Sequence, residues 1–243
     1  MIAEHADGRR LQGVPGRAAV VAVGMRALHR AGVQTWGTKS FEFWTLLVAA
    51  LGIVRPRALL ELGSGRSTQY LAEYALKEKV PFVSVEQSRA WRRRVQHGLH
   101  AGLVGGSFVH RVPVAADGWY DVERLDRVVT FECDGVYVDG PVGAREGVGR
   151  AARGGARAAA WLAAKAPAPR LLVVDDVDRP ENLELFDTLT TPSRLERFFL
   201  SYRPGPHQEN VVAIAYPADA ATRIRQVCEA AGIPLTADRP GAC

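Results

Sequence analysis

The chain is poor in cysteine, in lysine and in long apolar runs, and each scarcity excludes a class of protein. Its three cysteines, Cys133, Cys228 and Cys243, are odd in number, widely spaced and never arranged as CxxC. Disulfide scaffolds and structural zinc sites need more cysteines or closer spacing, so the expected setting is reducing and cytoplasmic. The longest apolar run, Leu46–Val54, reaches about half of the ~20 residues that a membrane span requires. Near the start, Glu4, Asp7, Arg9 and Arg10 stand where a secretory leader would place an apolar stretch, so no such leader is expected. Internal repeats and a glycine period are also missing, which excludes repeat arrays and collagen.

Lysine is equally scarce. Of 31 basic residues, only Lys39, Lys77, Lys79 and Lys165 are lysines, and the arginines are scattered among 26 acids. The formal charge of +5 is therefore balanced locally along most of the chain. The densest cluster, Arg89, Arg92, Arg93 and Arg94, reads as the solvated face of a helix rather than a phosphate-binding patch. Neither a nucleic acid nor a membrane is expected as a partner. With 47% apolar and 23% charged residues, the chain has the composition of an ordinary globular protein, not of a disordered one.

What is present is a regular alternation. Segments 17–31 and 40–54 read as helices, the second opened by Ser40 and stopped by Pro56. From Arg57 onward short apolar strands are expected at 58–63, 82–86, 107–112, 135–140, 171–176, 198–202 and 210–216. Helices are expected at 67–77, 88–100, 181–189 and 218–231, with an Ala-rich helical stretch to Lys165 interrupted by Gly154 and Gly155. Several strands are continuous apolar runs, as in a parallel sheet covered on both faces. The last two are separated by too few residues for a parallel crossover, so they should pair as an antiparallel hairpin. The fold class expected is α/β: a doubly wound, mostly parallel seven-stranded sheet with a terminal hairpin and an N-terminal helical extension. Residues 1–55 would form that helical segment and 56–243 the α/β domain, together one compact domain.

The densest local signal is Glu61-Leu-Gly63-Ser-Gly65-Arg-Ser67-Thr68, which closes the first strand and opens a helix. Gly63 suits a tight turn, and Gly65 lets a ligand approach the backbone. Glu86 ends the second strand, where a carboxylate can accept hydrogen bonds from ribose hydroxyls. A nicotinamide fingerprint would want a third glycine in place of Thr68, and no tyrosine has a lysine four residues later. A nicotinamide-dependent oxidoreductase is therefore the weaker alternative, beside a non-catalytic cofactor-binding module on the same fold.

At these residues the chain resembles the class I S-adenosylmethionine-dependent methyltransferases, over roughly residues 40–217. Asp117-Gly-Trp119-Tyr120 after the third strand and Val138-Asp139-Gly140-Pro141 after the fourth are similar to the branch that acts on small metabolites and saccharides. The resemblance implies a Rossmann-like fold, S-adenosylmethionine as cofactor and methyl transfer to a small hydroxylated acceptor. It implies that Glu61, Gly63 and Gly65 line the methionine part, and Ser67 and Thr68 of the same motif are expected to be cofactor-binding as well. Glu86 would take the ribose and Asp117 the adenine amino group, while Trp119 would pack either on the adenine or in the core. The resemblance leaves the oligomeric state open, a homodimer included.

Asp139 ends the fourth strand, and Asp175 and Asp176 end the fifth. Ligands of open α/β sheets bind outside the carboxyl ends of the strands, so these acids can converge there. An all-oxygen set suits Mg²⁺ or another hard divalent cation, and it is similar to the metal site of catechol-type O-methyltransferases. That group often has an amide at the position of Asp176. The bland alternative is that the acids cap a helix and orient a loop. For proton removal the candidates are Asp139 and His207, the latter in the loop between the last two strands.

Overall fold

The computed structural model describes residues 41–99, 108–141, 155–205 and 208–238. Helix α1 (Phe41–Val54) leads into β1 (Leu59–Leu62), α2 (Ser67–Glu78), β2 (Phe82–Glu86) and α3 (Arg89–Gly98). There follow β3 (Val109–Arg111), α4 (Val122–Val128), β4 (Gly135–Val138), α5 (Gly155–Lys165) and β5 (Leu171–Val174). Helix α6 (Pro180–Thr190), the arms β6 (Leu195–Gly205) and β7 (Gln208–Pro217), and α7 (Ala218–Ala231) complete the order.

One seven-stranded sheet runs β3-β2-β1-β4-β5-β7-β6. The first five strands are mutually parallel, and β7 pairs antiparallel with both β5 and β6. Strands β1, β2, β4 and β5 are buried at every position, as continuous apolar runs covered by helices on both faces should be. Alternate residues feed two cores. Leu59, Phe82, Tyr137, Leu171 and Ile214 face α1, α2 and α7, whereas Leu60, Val85, Val136, Leu172 and Ala213 face α4, α5 and α6. Phe43 and Trp44 of α1 are buried in the first core, and Trp44 stacks on Tyr70 with ring centroids 5.0 Å apart.

Three details differ from the sequence reading. Helix α4 was not expected; Asp121 opens it by accepting a hydrogen bond from the Arg124 N–H at 3.1 Å. The hairpin arms extend to Gly205 and Gln208, so most of the supposed loop is strand. Gly155 begins α5 rather than interrupting a helix. The expected helix 17–31 and His207 lie outside the described residues.

Candidate functional site

The strand order reverses between β1 and β4, and the loops leaving these two strands meet there. Gly63 adopts φ +95°, which a side chain rarely tolerates. A Cβ on Gly63 would lie 2.6 Å from the Gly140 nitrogen, and one on Gly140 would lie 2.7 Å from the Gly63 Cα. Backbone touches backbone at this point, and both glycines are needed for it. Gly65 is different: among the described residues, a Cβ there would meet nothing nearer than Ser67 Oγ at 3.9 Å. Those residues leave space beside it, as a ligand cradle requires.

Glu61 pairs in register with Ser84 of β2 and is fully buried. Ser67 and Ser84 hydroxyls donate to its two oxygens at 2.5 Å each, and Thr68 donates at 2.7 Å. The Gly65 N–H donates to Thr68 Oγ1 at 2.9 Å, so the turn is tied to Glu61 through that hydroxyl. Thr68 thus has a task that glycine could not perform. Burial pushes the Glu61 carboxyl up to about 7, against the lowering effect of its three hydroxyl donors, and Asp139 adds a smaller upward push. Ser67 and Thr68 are themselves buried and spend their hydroxyls on Glu61. These three expected ligand residues therefore sit beneath the turn and shape it.

Glu86 is nearly buried at the end of β2. Its Oε1 accepts from the Ser88 N–H at 2.7 Å, and its Oε2 accepts from the Ser64 hydroxyl at 3.0 Å. Burial raises its carboxyl above the ordinary range, while these hydrogen bonds pull the other way. Asp117 lies at the surface, where its Oδ2 accepts from Arg157 of α5 and its Oδ1 from the Trp119 N–H at 3.1 Å. The Arg157 hydrogen bond holds Asp117 below the usual carboxylate range. The Trp119 ring is fully buried and lies edge-on to Tyr120, with ring centroids 5.3 Å apart.

Across the switch point, Asp139, Asp175 and Asp176 each offer an oxygen, all within 4.8 Å of one another. Asp175 and Asp176 are buried and Asp139 is partly exposed. Asp176 is held at φ +54°, an uncommon conformation for a residue with a side chain. Four residues that the sequence reading passed over hold this corner. Tyr202 donates its hydroxyl to Asp175 Oδ1 at 2.9 Å, and Asn210 Nδ2 donates to Asp176 Oδ1 at 3.0 Å. Arg179 pairs with Asp176 Oδ2 at 2.9 Å. Asn182 donates to the main-chain carbonyls of both Asp175 and Asp176 at 3.0 Å. An all-carboxylate set of this density fits a hard divalent cation by charge and donor type. Ser84 was the legible omission, because a hydroxyl inside a strand buried on both faces must find a partner.

Comparison with known proteins gives the same architecture. No family model matches the chain, and no curated protein does. Among solved structures, the chain is similar to the O-methyltransferase TomG from Streptomyces achromogenes in complex with SAM. That match has a TM-score of 0.51 and 19% identity, over 81% of this chain and 88% of that one. It is also similar to cofactor-bound Rv0187 from MTB, with a TM-score of 0.51 and 19% identity over 86% and 94% of the two chains. The fold is the class I methyltransferase fold.

Proposed function

We propose that the protein is an S-adenosylmethionine-dependent O-methyltransferase that acts on a small hydroxylated acceptor with the help of a divalent cation. One observation carries the reading. A glycine turn with open space at Gly65 and a strand-end acid, Glu86, lies directly against a second cluster of three carboxylates at the sheet's switch point. The first half offers hydrogen-bond acceptors to a ribose, and the second offers charge to a cation.

S-adenosylmethionine, when bound, supplies the electrophilic methyl group. Gly63 and Gly65 present backbone to it, Glu86 receives ribose hydroxyls, and Asp117 is the acid available to an adenine amino group. Glu61, Ser67 and Thr68 contribute by fixing the turn. A divalent cation, when bound, lowers the pKa of an acceptor hydroxyl beside it. Asp139, Asp175 and Asp176 would hold that ion, and Asp139, the most exposed of the three, is the described carboxylate best placed to take the acceptor's proton. The chain's main catalytic task is then to align hydroxyl and methyl in a near-attack arrangement.

The buried free thiols of Cys133 and Cys228 support a reducing, cytoplasmic setting. No helix among the described residues is long and apolar enough to cross a membrane. The test is methyl transfer from labelled S-adenosylmethionine to a panel of small catechols, phenols and saccharides. Transfer to oxygen supports the reading, and transfer to none of them while NAD-dependent oxidation proceeds contradicts it.

A further inference from the structure

Helix α3 buries none of its described residues, yet it carries Trp91, which is 44% exposed. A tryptophan placed this way adds little to the core, so its position needs another reason. Hydrogen bonds supply one. The indole Nε1–H donates to the Ser64 carbonyl at 2.8 Å, and the backbone N–H of Trp91 donates to Ser88 Oγ at 3.2 Å. Ser64 donates its hydroxyl to Glu86 Oε2, and Ser88 donates its N–H to Glu86 Oε1. Trp91, Ser64, Glu86 and Ser88 thus close a ring of hydrogen bonds around the junction of the glycine turn and the strand-end acid. The Arg94 guanidinium lies 5.3 Å from the indole centroid and further restrains the ring plane.

The ring of bonds couples two parts that a ligand must meet at one spacing. Ser64 sits between Gly63 and Gly65, so a fixed Ser64 carbonyl fixes the turn, and its hydroxyl fixes Glu86. Resting on the cofactor reading above, we infer that Trp91 is a positioning residue for the cofactor, its indole N–H holding the turn and Glu86 in register before the ligand arrives. Preorganisation of this kind lowers the ordering cost of binding. Its effect falls on affinity and not on the methyl-transfer step.

Trp91→Phe keeps an aromatic ring and removes the one donor. Calorimetric titration with S-adenosylhomocysteine should show dissociation weakened about tenfold, the usual effect of one well-placed hydrogen bond. The KM for S-adenosylmethionine should rise with kcat held, and the melting temperature should stay within about 2 °C because no residue of α3 is fully buried. Equal affinity in the two proteins, or a fall in melting temperature that accounts for the loss, overturns the positioning role. Absence of S-adenosylhomocysteine binding in the wild type overturns the cofactor reading itself, and this inference with it.

Discussion

On the β1–β2 side of the switch point, two buried carboxylates are met by neutral donors. Glu61 receives three hydroxyls, and Glu86 receives a hydroxyl and a main-chain N–H. On the β4–β5 side, three carboxylates crowd within 4.8 Å, and Arg179 pairs with Asp176. The first side is complete in itself and suits a ligand that reads hydrogen bonds. The second gathers carboxylate oxygens, a donor type that suits a hard cation. A single fold edge thus carries two chemically distinct groups of carboxylates, joined where Gly63 meets Gly140.

The largest effect should come from the charged side. Stripping divalent ions with excess chelator should lower turnover about a thousandfold, about 4 kcal/mol in barrier, while leaving S-adenosylhomocysteine affinity unchanged. Added Mg²⁺ should restore activity. Full activity in chelator would reassign the three acids to proton transfer and loop anchoring.

Next comes the joint between the sides. Gly63→Ala places a Cβ 2.6 Å from the Gly140 nitrogen at φ +95°, a clash of backbone on backbone that no rotamer relieves. Stability should fall by about 3 kcal/mol, read as a lower urea midpoint. A normal midpoint would show that the two loops separate readily.

A smaller effect belongs to the neutral side. Glu61 sits at about 7 instead of its ordinary 4.5 because of burial. Between those values the folded chain retains a proton that the unfolded chain has released. The contribution of Glu61 to stability is therefore full below about pH 4.5, falls as pH rises towards 7, and is flat above that. Thermal melts of wild type and Glu61→Gln across pH 4 to 8 should show a difference that drifts against wild type through that window. A constant difference would mean that the three hydroxyls keep Glu61 ionised throughout.

How much of this was legible follows from the same contrast. Residues that announce themselves by type and position were readable: Gly63, Gly65 and Glu86 at the ends of β1 and β2, and Asp139, Asp175 and Asp176 at the ends of β4 and β5. Continuous apolar strands and the short link between the last two gave the sheet and its hairpin. What escaped was whatever depends on contacts distant in sequence. Asn210 reaches the acid pair because β7 lies beside β5, and Tyr202 because β6 pairs with β7 and sets it opposite Asn210, pairings invisible in any one segment alone. Nothing in the sequence around Trp91 marks it out, and its indole meets Ser64, 27 residues earlier. The hydrogen bonds of Ser67 and Thr68 escaped for a related reason: a motif gives adjacency in sequence, while only geometry shows that their hydroxyls turn inward to Glu61.

The most direct test of the central claim is calorimetric titration of the wild type and Glu86→Ala with S-adenosylhomocysteine, with NAD as the comparison ligand. The account predicts micromolar binding of S-adenosylhomocysteine to the wild type, about −8 kcal/mol, and at least about tenfold weaker binding to Glu86→Ala, through loss of its ribose hydrogen bonds. It predicts no measurable heat with NAD. Binding of NAD in preference to S-adenosylhomocysteine, or an affinity for S-adenosylhomocysteine indifferent to Glu86, would contradict it.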